Sequence, residues 1–463
     1  MFSQMPWFRV SERAAACGLL GALACLAGCS SDVGDLSGTL FVATGQEADT
    51  WTADPVPVSL EVDLVGTKST QIATATAPAS TVSLGTGTPA ETTAAFELTG
   101  FDANEQPVLH GRSVTYAITT FANSGPVVFA ARTGGVSRAP GNLLFEYRHP
   151  LVEVVGHAFL LVAGGDSSSA TNNPFDIYDA SVWGVAPEQT WLTSAPKSWA
   201  VAGPNLLAVN DDGATSTDLT AGTVTTETPP SGFAFADIVG GKTFVAGDDT
   251  RYIVGATRTL GSATASVLRV ATDGTLSAMK LSAPRLGAAA GIVNGQLVVA
   301  GGSESAAGVE TLNAAGTAFV PLAYPPDPLQ GAALAQLDST TAILAGGVDA
   351  DGTGGGLRTL DVACAASCST QPLPDLDFAF SSVQAFGLAD EQVLVCGESD
   401  DGQTHLFTLE KGSDFALTEV GLRTPRRGAT LVAFPNGQIG LVGGDAVADG
   451  SPAASVELYF PPL

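Results

Sequence analysis

The residues best placed to do chemistry in this chain are acids that recur after glycines. Asp166; Asp211 and Asp212; Asp248 and Asp249; Glu304; Asp349 and Asp351; Glu398, Asp400 and Asp401; and Asp445 and Asp449 all follow apolar runs that stop at or beside a small residue or a turn. Grouped carboxylates can hold calcium, which takes several oxygen ligands, or attract a basic partner. "DADG" at 349–352, with Asp349 and Asp351, and "ESDDG" at 398–402 are the best single places for calcium, although neither supplies a full ligand set. Solvated turns are the competing reading, because Asp and Gly are ordinary turn residues.

Other chemistry is sparse. The chain has four histidines, His110, His149, His157 and His405, and no HExxH or nucleophile-elbow spacing, so no catalytic residue is assigned. Tyr178, Trp183, Trp191 and Trp199 would stack on sugar rings if exposed and would pack a core if not. With a net charge of -27, the surface excludes nucleic acid and anionic membrane as partners, since both need clustered Lys and Arg.

The acids are spaced by a repeat. "FLLVAGGDS" at 159 returns as "LVVAGGSES" at 297, "AILAGGVDA" at 342 and "IGLVGGDAV" at 439, with weaker copies at 206, 243 and 393. Each unit reads as a short strand, an apolar strand ending on glycine, a polar loop, and a third strand such as "FDIYDA", "GVETLN", "LRTLD" or "SVELYF". Several short strands per unit, with a period in the forties, mark β-propeller blades. The spacing predicts seven blades over residues 140–463, with all the acidic loops between second and third strands gathered on one face. The last unit lacks a fourth strand, and residues 143–147 are expected to supply it and tie the ring shut.

The glycine pairs Gly164-Gly165, Gly301-Gly302, Gly346-Gly347 and Gly443-Gly444, with Tyr178, Trp183 and Tyr459 downstream, resemble the kelch repeat family. The resemblance implies a propeller that binds or scaffolds a protein or glycan. Some kelch-type propellers resemble galactose oxidase, so an oxidase, or a propeller hydrolysing glycans, is the alternative. That copper site needs two histidines, two tyrosines and a cysteine, and no spacing here reproduces it.

Residues 38–135 do not share the repeat. Alternating runs such as "VPVSLEVDLV", "AAFELTG" and "SVTYAITTF" suit an immunoglobulin-like or fibronectin-like β-sandwich, so the expected class is all-β: sandwich, then propeller. Ahead of it, Arg9 and Arg13, a short apolar stretch and "LAGC" at 26–29 have the order of an export signal. "LAGC" resembles the lipobox of bacterial lipoproteins, which implies cleavage after residue 28 and acylation of Cys29. Residues 29–37 would be a tether, and the protein a cell-envelope lipoprotein; Ser30, in place of a retaining aspartate, favours the outer membrane. Outside the cytoplasm Cys364 and Cys368 in "CAASC" can close a disulfide, with metal binding as the rival reading, and Cys396 reads as a buried small hydrophobe.

Overall fold

The computed structural model describes residues 38–84, 93–117, 125–145, 147–164, 175–186, 196–373, 381–389, 391–399, 402–412, 414–448, 450 and 453–463. The signal, the tether, Cys29, Asp166, Trp191, Asp400, Asp401 and Asp449 lie outside the described residues. Among the described residues no helix is long and apolar enough to cross a membrane.

Residues 151 onward fold as short antiparallel sheets in chain order. Their first strands are Leu151–Val155, Ser198–Ala202, Lys242–Val245, Ala289–Val293, Ala333–Gln336, Ser381–Gly387 and Thr430–Ala433. Each lies beside the next, and the last returns to the first, so the ring is a closed seven-bladed propeller. The apolar strands are buried on both sides: Leu160, Val162, Val298, Ile343, Val395 and Val442 have no exposed surface, and the core runs between blades rather than through one centre.

The glycine pairs are explained by backbone conformation and close approach together. Gly301 and Gly302 have φ of 74° and 71°, and a Cβ on Gly302 would lie 2.6 Å from the Leu286 carbonyl oxygen. Gly443 and Gly444 have φ of 73° and 97°, and a Cβ on Gly444 would lie 2.6 Å from the Arg427 carbonyl oxygen. The second glycine also donates its N–H to the connector entering the next blade: Gly302 to Leu329 O at 2.9 Å, and Gly444 to Tyr147 O at 2.5 Å.

That equivalence corrects the closing strand. The described residues of 143–147 form no strand; they belong to the connector into blade 1, with Leu143 and Tyr147 buried in its core. The fourth strand of blade 7 is Gly135–Asn142, paired antiparallel with Ser455–Phe460. The chain therefore enters the ring one strand before a connector, as every other blade does. Pro140 is tolerated there because this is an outer strand, which needs no donor on its far side.

The N-terminal residues make eight strands: β1 (Gly38–Thr44), β2 (Ser59–Val65), β3 (Ser69–Thr76), β4 (Thr81–Leu84), β5 (Thr93–Phe101), β6 (Pro107–Arg112), β7 (Tyr116–Ala117) and β8 (Val127–Arg132). A two-sheet sandwich was expected. Instead, pairing runs along one path, β3-β2-β5-β6-β8-β1-β4, with β7 on β5 and with β1 parallel to β8. The end strands β3 and β4 lie side by side, which makes the sheet barrel-like around Leu60, Phe96, Leu98 and Leu109. Alternation counts strands but does not say which ones pair, and this is where the expectation departed from the fold.

This barrel-like module shares a core with the ring. Phe129 meets Trp183 edge-on at 5.1 Å and Phe460 at 5.3 Å, and Trp183 stacks on Phe434 at 6.3 Å. Glu47 is paired with Arg138 at 2.8 Å and accepts from Ser137 Oγ at 2.7 Å, so polar contacts fix the same junction. We call residues 135–142 β9, since they continue directly from this module.

Candidate functional site

Antiparallel strands divide the turns of the ring between two faces. The hairpins between first and second strands, and between third and fourth, lie on one face. The loops between second and third strands lie on the other, with the blade-to-blade connectors. The N-terminal module holds the hairpin face: Tyr116 Oη donates to Ser181 O at 3.2 Å, Asn436 Nδ2 to Arg112 O at 2.9 Å, and Gly134 N to Phe460 O at 2.8 Å. The connector face is thus directed away from the module.

The acids divide accordingly. Asp211, Asp212, Glu304, Asp349, Asp351, Glu398 and Asp445 lie on the connector face. Asp248 and Asp249 do not: "KTFV" at 242–245 is the first strand of blade 3, so they fall in a hairpin on the opposite face. The second strand is Arg251–Val254, whose terminating glycine is Gly255; a Cβ there would lie 2.2 Å from Asp237 O. "YIVGA" is itself an apolar run ending on glycine, so the signal was present but was masked by the stronger acidic pattern. The blade 3 loop on the connector face carries Arg258, which donates to the Ser262 and Ala236 carbonyls.

The connector into blade 1 carries Arg148 and His149, which pair with Asp445 of blade 7 and Glu398 of blade 6. Glu398 is half-buried and bonded to His149 Nε2 at 3.0 Å and to Gly428 N–H. Burial pushes its pKa up, but His149, Gly428 and Arg148 outweigh that and hold the carboxyl below its ordinary value. Asp445 lies 3.8 Å from Arg148. Cys396, two residues before Glu398 on the same strand, is wholly buried, and its thiol is pushed up to about 12 by burial and then by Glu398, so it stays a neutral apolar group.

Blades 2, 4 and 5 leave their acids open. Asp211 pairs with the exposed Lys197. Asp212, Glu304 and Asp351 are exposed, and no described residue partners their side chains. Asp349 Oδ1 accepts from the N–H groups of Asp351 at 3.0 Å and Thr353 at 2.8 Å, so part of its capacity is spent on its own turn. Among the described residues no three His, Cys, Asp or Glu side chains are grouped as a metal ion would need.

Around blades 4 and 5 these loops form a continuous platform. Ser303 bridges Asp327 of the connector, and Gln330 bridges Val348 of the next loop. Beside it opens a cavity of about 220 Å³, walled by Tyr324, Pro325, Pro326, Pro328 and Leu329 and carrying the Asp327–Arg358 pair. Cys364 and Cys368 are bonded to each other, and the Cys368 N–H donates to Ala323 O, fixing the loop that packs beneath Tyr324.

The aromatic candidates are structural. Tyr178, Trp183 and Trp199 are buried, and the Tyr178 hydroxyl donates to Gly141 O at 3.1 Å. Sequence reasoning also passed over a repeated ion pair. Arg285, the last residue of the fourth strand of blade 3, pairs with Glu310 on the third strand of blade 4, and Arg426, on the connector into blade 7, pairs with Glu457 on the third strand of that blade. All four side chains are 0% exposed. The partners lie 25 and 31 residues downstream of the arginines, with no local signal.

No family model and no curated protein matches this chain. Solved structures do match it, among them a streptogramin B lyase structure with 7% identity and a TM-score of 0.41, covering 70% of this chain and 96% of that one. The strand pairing itself carries the conclusion, independently of that likeness: this is an all-β protein whose residues 135–460 close into a seven-bladed propeller.

Proposed function

We propose that this protein is a non-catalytic recognition protein of the bacterial cell envelope, lipid-anchored through Cys29, whose kelch-type propeller offers its connector face to a basic protein segment. "LAGC" at 26–29 supports the anchor, and the positive-φ glycine pairs support the kelch reading. The observation that carries the binding role is the exposure of Asp212, Glu304 and Asp351 on the face opposite the N-terminal module. A rigid ring with variable loops suits recognition, and an acidic face steers a cationic partner toward it.

The test uses mature protein as bait in an envelope extract. Asp212→Asn/Glu304→Gln/Asp351→Asn should weaken retention of a basic partner by about threefold to a hundredfold, given ~0.2–1 kcal/mol per exposed charge contact. Asp248→Asn/Asp249→Asn, on the other face, should leave retention unchanged. Equal retention by all three proteins, or an empty column, contradicts the proposal.

A further inference from the structure

The first strands of the blades line the axis of the ring, and the layer at their connector end can be followed from blade to blade. Its polar members are Ser198, Lys242, Gln384 and Thr430, paired with Val209, Val254, Cys396 and Val442 at the ends of the second strands; the other three are leucine or alanine. Three of the four polar side chains are spent on the next blade. Ser198 Oγ is held by the Ile238 and Gly241 carbonyls, each at 2.9 Å. Gln384 donates to Ala429 O at 3.1 Å and accepts from Leu431 N–H at 2.8 Å, and Thr430 Oγ1 donates to Pro150 O at 2.8 Å. The Lys242 amine has no hydrogen-bond or ion-pair partner among the described residues. Its side chain is exposed, yet burial lowers its pKa below the ordinary lysine value, and no acid offsets that. Both hold for a group standing in water that protein encloses, which at this position is the mouth of the axial channel.

We infer that Lys242 receives the C-terminal carboxylate of the basic segment bound by the connector face, an inference that rests on the binding role proposed above. An enclosed ammonium without a counter-charge is costly, and an anion relieves the cost. A free anion is nevertheless repelled, by the net charge of -27 and by the exposed Asp212, Glu304 and Asp351 on the same face. Both demands are met by an anion carried on a cationic chain. A chain terminus suits the place as well, since it brings its carboxylate to the axis on one arm, whereas an internal acidic residue needs room for two. The acids sit in loops leading from the second strand to the third, so they stand one to two strand spacings out from the Lys242 layer, about 5–10 Å. At about 3.3–3.6 Å per residue, the lysines or arginines that meet them fall within about three residues of the terminus.

Isothermal titration calorimetry on the mature protein tests it with three peptides: acetyl-Ala-Ala-Lys-Lys-Ala-Ala as the free acid, the same peptide as its C-terminal amide, and an amide in which aspartate followed by four glycines replaces the last alanine. The free acid should bind about tenfold more tightly than either amide. Repulsion by the acidic protein as a whole favours the uncharged amide terminus, so this preference is opposite in sign to a non-specific effect. Lys242→Met keeps the stem and removes the charge; it should abolish the preference without lowering the melting temperature. Asp212→Asn/Glu304→Gln/Asp351→Asn should weaken all three peptides and keep the preference. Equal binding of free acid and amide by the wild type, which needs no variant, overturns the inference alone. So does a preference that survives Lys242→Met, or an internal aspartate that binds as tightly as the free acid. A triple variant that binds every peptide like the wild type overturns the acidic-face reading on which the inference rests, as does no binding by any peptide.

Discussion

Replacing β9, residues 135–142, with an eight-residue glycine–serine linker should lower the melting temperature by about 5–10 °C and leave the protein prone to aggregate. β9 pairs with the strand Ser455–Phe460 at five registered positions, including Leu458 with Ser137 and Tyr459 with Val136. At about 1 kcal/mol for each ladder hydrogen bond, and about 2 kcal/mol for burying Val136, the strand contributes on the order of 5 kcal/mol. Its loss also uncovers the edge of the Ser455–Phe460 strand and separates the module from the ring. Differential scanning calorimetry reads the shift, and an unchanged transition would mean that the ring does not depend on this strand.

Arg426→Ala should cost about 3–5 kcal/mol, because it leaves the Glu457 carboxylate buried without its counter-charge. The lost guanidinium also strands Gly443 O and the Ser455 oxygens, all inside the closing blade. Arg426→Met/Glu457→Leu removes both charges while keeping the volume, and should recover most of the loss. Chemical denaturation of the two variants beside the wild type gives the comparison. Equal destabilisation by both would show that the hydrogen bonds to Gly443 and Ser455, lost in both variants, and not the uncompensated charge, are what Arg426 supplies.

The legible parts of this fold are those written by local rules. An apolar run stopped by two glycines has a local cause, positive φ combined with close approach of the next connector, and it placed four of the seven second strands correctly, with the weaker copies at 206 and 393 placing two more. In blade 3 two aspartates after "TFVAG" imitated the pattern one strand early, which moved Asp248 and Asp249 to the wrong face. Non-local pairing was not legible. Nothing in "GVSRAPGN" announces that it will pair with residues more than 300 positions later, and nothing in the alternation of residues 38–135 says that β1 lies parallel to β8. The candidate site was half legible: its acids were visible, but the neutralising partners His149 and Arg148, and the pairing of Asp327 with Arg358 in blade 5, follow from the ring closing.

Hydrogen–deuterium exchange on the amides of β9 tests the central claim most directly: that the ring and the N-terminal module are one body, sealed by that strand, with the connector face held outward. The account predicts that the paired amides of β9 exchange as slowly as those of Ser455–Phe460 and Ile439–Val442, through global unfolding alone. Exchange of β9 at the rate of exposed loops, while those two strands stay protected, would contradict it.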